Sequence, residues 1–86
     1  MKAITVEPGT ANSVRLEERP EPPPDPASLL VQMTVLGVCG TDREIVAGSY
    51  GWSPPGSKRL VLGHESLGRV LEAPDESNFS PGDLVV

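Results

Sequence analysis

Five of the eight residues from Arg19 to Pro26 are proline. Proline lacks a backbone N–H and holds φ near −65°, so this stretch fits neither a helix interior nor the middle of a sheet. It reads as a stiff, extended connector between strands. A proline-rich docking ligand is the alternative reading of the same residues. Pro8-Gly9, the Gly37 and Gly40 pair, Gly48, Pro54-Pro55, Gly63 and Pro81-Gly82 cut the remainder into short runs. Runs of that length suit strands better than helices.

Residues 2–6 are β-prone. Residues 13–18 alternate, with Val14 and Leu16 on one face and Arg15 and Glu17 on the other, the pattern of a half-buried strand. Residues 29–38 are rich in β-branched side chains and long enough for the central strand. Leu29, Val31, Met33 and Val35 then share one face, and Leu30, Gln32, Thr34 and Leu36 the other. Thr41-Asp42-Arg43-Glu44 has the form of a capping box, with Thr41 as the cap. Ile45, Val46 and Ala47 continue into a short helix that Gly48 stops. Residues 48–58 form a loop, residues 60–62, 68–72 and 84–86 short strands, and residues 75–80 a polar turn. This spacing predicts a mostly β fold, antiparallel and barrel-like, with one short helix. Residues 1–86 make one domain, and its final apolar run ending at Val86 reads as a strand cut short, in a piece of a longer enzyme.

Twelve acidic against seven basic residues give a net charge of −5. Non-specific nucleic-acid binding needs a basic footprint, so no nucleic acid is expected. Three aromatic residues are too few for a base-stacking platform. The acids at Glu17-Glu18 and Asp75-Glu76 read as solvated surface. The longest apolar stretch, residues 29–38, is broken by Gln32 and Thr34 and is too short to span a membrane. The N-terminus lacks a basic-then-apolar leader. A single cysteine cannot pair within the chain and suits a reducing, cytoplasmic setting.

That cysteine, Cys39, lies in Gly37-Val38-Cys39-Gly40-Thr41-Asp42. Twenty-five residues later the single histidine, His64, lies in Leu62-Gly63-His64-Glu65. Thiolate, imidazole and carboxylate are the ligand types that zinc prefers. Taken singly, Cys39 reads as a small inert hydrophobe and His64 equally well as a satisfied structural histidine. Taken together, both follow strands, adjoin glycine and have acids nearby. Cys39 precedes a predicted helix N-terminus, which favours the thiolate form that binds metal. Gly63 permits a bend that brings His64 and Glu65 to one site. Asp42 suits the second ring nitrogen of a metal-bound histidine, or else serves the helix as a first-turn acid. Thr41 is either a cap or a proton relay from a substrate hydroxyl, and its one hydroxyl cannot do both. Tyr50 and Trp52, in the loop before residues 60–62, read either as a sugar-stacking entrance or as partly covered surface.

The order Cys39-Gly40-Thr41-Asp42, then Gly63-His64-Glu65-Ser66-Leu67-Gly68, then Pro81-Gly82-Asp83 resembles the catalytic-domain signature of the zinc-dependent medium-chain dehydrogenases. Cys39 through Val46 with Gly48, and Leu60-Val61-Leu62-Gly63-His64-Glu65, resemble most the microbial glucose 1-dehydrogenase branch. The resemblance implies a GroES-like, partly open barrel. It implies Cys39 and His64 as ligands of catalytic Zn2+, with Glu65 a ligand or exchangeable near-ligand. Asp42 would orient His64, and Thr41 would hydrogen-bond the reacting hydroxyl. The reaction implied is oxidation of the C1 hydroxyl of glucose or a similar aldose to the lactone, with hydride passed to NAD or NADP. A homo-oligomer, dimer or tetramer, is implied for the full-length protein. No Gly-rich turn after a strand occurs here, so the α/β nucleotide-binding domain of that family is expected to be missing from these residues, along with a further metal ligand. The 86 residues alone are then expected to be inactive. Another zinc-dependent alcohol or polyol dehydrogenase, and a non-catalytic GroES-like binding module, are the competing expectations.

Overall fold

The computed structural model describes residues 1–86. It is mostly β, with six strands and one short helix: β1 (Lys2–Val6), β2 (Arg15–Glu18), β3 (Leu30–Gly37), α1 (Gly40–Val46), β4 (Leu60–Val61), β5 (Glu65–Glu72) and β6 (Leu84–Val85). Two compact units are present: Met1–Glu21 with Val38–Gly63, and Pro22–Gly37 with His64–Val86. Each holds one three-stranded sheet, and every strand pair is antiparallel, as expected.

In the first unit the order is β2-β1-β4. Val6 and Thr5 are fully buried, and Ala3, Ile45 and Asp42 nearly so. The strand expected at residues 13–18 forms at Arg15–Glu18, but its faces are reversed. Val14 and Leu16 are exposed, Leu16 by 64%, whereas the polar side holds half-buried Ser13 and Glu17. Alternation shows that a strand has two faces; it does not show which is covered. Here the polar face is covered because its charges find partners there, and buried charges persist only when paired. Glu17 therefore differs from the solvated surface acid expected of it.

The helix begins earlier than expected. Its N-cap is Cys39, still extended at φ −120°. Asp42, the third helical residue, accepts the Cys39 N–H at 2.9 Å. The cap thus lies two residues before Thr41. A short carboxylate three positions on from the last extended residue reaches its orphan N–H, and Asp42 meets that condition before Glu44 can. At the other end the Ala47 N–H bonds the Arg43 carbonyl, and Gly48 turns the chain at φ +82°.

In the second unit the order is β3-β5-β6. The central strand is β5, and the long run at β3 is an edge. Gly68 explains this arrangement. It pairs with Met33 on one side and Val85 on the other. A Cβ built there would lie 2.4 Å from Val31 Cγ1 and 2.9 Å from the Gln32 carbonyl oxygen. Only glycine allows β3 to approach so closely. The pairing register of β3 shifts between Leu30 and Val31 and again between Met33 and Val35. The four-residue faces expected of a regular strand are therefore broken, as extra residues at bulges do. The Thr34 hydroxyl spans the second shift, donating to the Leu67 carbonyl at 3.0 Å. Strand β5 also starts three residues before the expected position, which puts Glu65 in the ladder.

Candidate metal centre

In the second unit the ladder joins the end of one motif-bearing strand to the start of the other. Gly37, the last residue of β3, pairs with Glu65, the first of β5. Cys39 lies two peptide units beyond Gly37, and His64 one before Glu65. With consecutive Cα atoms about 3.8 Å apart, the ladder and the covalent chain alone keep these residues near one another. Gly63 has φ +125°, a value that side-chain-bearing residues rarely adopt, and it makes the bend expected just before His64. Cys39 is half-buried, while His64 and Glu65 are exposed. The thiol sulfur, an imidazole nitrogen and a carboxylate oxygen of these three residues all lie within 4.8 Å of one another.

That donor set fits zinc. Ligands held about 2.0–2.3 Å from a tetrahedral ion are roughly 3.4 Å apart, so small side-chain adjustments close the group onto one. Asp42, 7% exposed, spends a carboxylate oxygen on the Cys39 N–H and so fixes the backbone that carries the thiol. Because Cys39 is the N-cap, Thr41 falls inside the helix. Of the two roles open to its hydroxyl, capping is thereby removed. Tyr50 and Trp52 face solvent, with ring centroids 6.4 Å apart and planes tilted by 57°.

Arg59 belongs to no motif, yet it makes the densest polar contacts of the first unit. Its side chain is 15% exposed. Nε donates to Thr5 Oγ1 at 2.8 Å, and Nη2 donates to the carbonyls of Thr5, at 3.1 Å, and of Ser13. Glu17 lies 3.9 Å from Nε and is paired with Arg15 and Arg19 at 2.9 Å each. Desolvation pushes the Glu17 carboxyl up, but hydrogen bonds from Thr5, Arg15 and Arg19 outweigh it and hold the group below its ordinary value. Nothing in the local sequence distinguishes Arg59 from a surface arginine, because its partners lie 46 and 54 residues away.

Residues 25–86 match the alcohol dehydrogenase GroES-like domain. Over its whole length the chain is 51% identical to a glucose 1-dehydrogenase of Thermoproteus tenax and 46% identical to one of Vulcanisaeta moutnovskia, covering 25% of each. It therefore spans about a quarter of the length of these curated relatives. A solved Haloferax mediterranei glucose dehydrogenase in complex with NADP, Zn and gluconolactone superposes with a TM-score of 0.82 at 40% identity. That match covers 98% of this chain and 23% of the other.

Proposed function

We propose that this chain, which belongs to the alcohol dehydrogenase GroES-like domain family, is the metal-binding part of a zinc-dependent sugar dehydrogenase. In the whole protein the C1 hydroxyl of glucose or a similar aldose is oxidised to the lactone. C1 gives up hydride to NAD or NADP, and the hydroxyl proton leaves toward solvent. The observation that carries this reading is the Cys39, His64 and Glu65 group, one sulfur, one nitrogen and one oxygen donor within 4.8 Å. The glucose 1-dehydrogenase relatives, and the zinc and gluconolactone in the Haloferax complex, support the same choice.

Zinc bound by those three side chains supplies Lewis-acid polarisation of a hydroxyl oxygen. The Cys39 thiolate and the Glu65 carboxylate offset its charge, and His64 binds as neutral imidazole. Asp42, besides capping the helix, accepts the other ring N–H of His64 in this reading and fixes its tautomer. Thr41, relieved of capping, hydrogen-bonds the reacting hydroxyl and passes its proton on. Tyr50 and Trp52 offer ring faces to a pyranose. The whole protein is cytoplasmic and a homo-oligomer in this reading, and the nicotinamide is held by residues outside this chain.

The test uses the full-length protein. Metal analysis is expected to find zinc, and His64→Ala to lower turnover by about 100-fold or more. Full activity in His64→Ala would falsify the catalytic-metal reading. Glucose, galactose, xylose and short alcohols are compared with both cofactors. A preference for ethanol over every aldose assigns a different alcohol dehydrogenase activity, and no turnover of any with zinc bound assigns a binding module.

A further inference from the structure

We infer that Arg59 is a positioning residue for His64, acting through strand β4 by setting where the imidazole-bearing segment leaves the first unit. The inference rests on the metal-binding role proposed for His64.

The five residues from Arg59 to Gly63 have successive anchors. Arg59 is held by three hydrogen bonds to Thr5 and Ser13. Leu60 pairs with Val6, and Val61 with Thr5. The Leu62 N–H donates to the Ile4 carbonyl at 2.9 Å. Gly63 then bends the chain at φ +125°. Arg59 to Leu62 are thereby each tied to β1. Beyond the bend, His64 is followed directly by Glu65, which the second unit's ladder pairs with Gly37. His64 follows the anchored segment directly in the chain, one residue after the Gly63 bend.

The anchoring depends on Arg59 more than on its neighbours. Strand β4 is only two residues long and contributes two ladder positions. An antiparallel pairing that short is weak by itself. Arg59 adds a rigid fork of donors at its start, and its acceptors come from β1 and from the approach to β2. Thr5, fully buried, accepts from this guanidinium through its hydroxyl oxygen. Removing the guanidinium takes away all three hydrogen bonds by which Arg59 holds the start of β4 to Thr5 and Ser13. A catalytic ligand misplaced by about 1 Å is enough to weaken a metal site and slow the reaction it serves.

The experiment compares Arg59→Met, Arg59→Lys, Thr5→Val and His64→Ala in the full-length protein. Zinc affinity is measured by chelator competition well below the melting temperature, and the cobalt(II)-substituted proteins are compared by absorption spectroscopy. Arg59→Met is expected to weaken zinc binding about tenfold and to alter the cobalt ligand-field bands. Arg59→Lys, which keeps the charge and one donor, is expected to recover part of both. A purely structural arginine would lower the melting temperature in Arg59→Met and leave folded-state zinc affinity and the cobalt spectrum as they were, and that result overturns the inference. If Arg59→Met does not fold, Thr5→Val decides: a fall in zinc affinity supports the clamp, and unchanged affinity overturns it. His64→Ala separates the two levels. If it too retains zinc, the metal-binding reading fails; if it loses zinc while Arg59→Met does not, only the positioning inference fails.

Discussion

The two sheets have equal numbers of strands and are held together differently. In β2-β1-β4 the covered face is polar. Thr5, Ser13, Glu17 and Arg59 exchange hydrogen bonds across it, and two residues of this sheet, Thr5 and Val6, are fully buried. In β3-β5-β6 two strands are eight residues long and the apolar share is about the same, yet Val70 is the one buried hydrophobic side chain of that unit. Met33, Val35, Leu36, Leu71 and Leu84 are exposed. Apolar composition therefore does not identify the tighter packing. The second sheet coheres through its backbone ladder and the close approach at Gly68; the first coheres through side chains that meet across long sequence separations. Small units have little interior, so a single glycine or arginine carries much of the specificity.

Gly68→Ala is the strongest challenge to this contrast. Its new Cβ would meet a stiff β-branched side chain at 2.4 Å and backbone at 2.9 Å, so a loss of about 3 kcal/mol is expected in urea unfolding. A loss below about 1 kcal/mol would mean that β3 does not approach β5 so closely. Next comes Val70→Ala, expected to cost about 2 kcal/mol because Val70 is 1% exposed. A much smaller cost would show that side-chain packing contributes still less to the second sheet than its ladder does. The smallest effect concerns acid. The Glu17 carboxyl titrates below its ordinary value when folded. Its contribution to stability is therefore complete above the ordinary carboxylate value and is lost as pH falls through the lowered one. Glu17→Gln should flatten that part of the stability-versus-pH curve, followed by thermal melting across acidic buffers. An unchanged slope would remove Glu17 from the polar face of the first unit.

Legibility followed sequence distance. The turn glycines and the helix stop at Gly48 are local events that fall where their residues predict, and each expected short strand forms, with β5 starting three residues early. Cys39 and His64 stand out because each is the single residue of its type, and Thr41, Asp42 and Glu65 because their spacing around that pair resembles a known signature. The cap moved from Thr41 to Cys39 because competition among nearby carboxylates depends on where the chain stops being extended, a fact of backbone geometry. The reversed face of β2 depends on Thr5 and Arg59, 12 and 42 residues from Glu17, and the edge position of β3 on its pairing with the distant β5. Arg59 is silent in sequence for the same reason.

The sequence by itself determined the short-stranded, mostly β character and the identity of the metal-ligand candidates. Proline and glycine limit the backbone locally, and soft and borderline donors are recognisable by residue type. Only the tertiary structure decided which faces are covered, which strand is central, that Thr41 is not the cap, and that an arginine five residues before His64 grips β1. Those outcomes are settled by hydrogen-bond partners and steric room, and both come from residues that the chain brings together only when it folds.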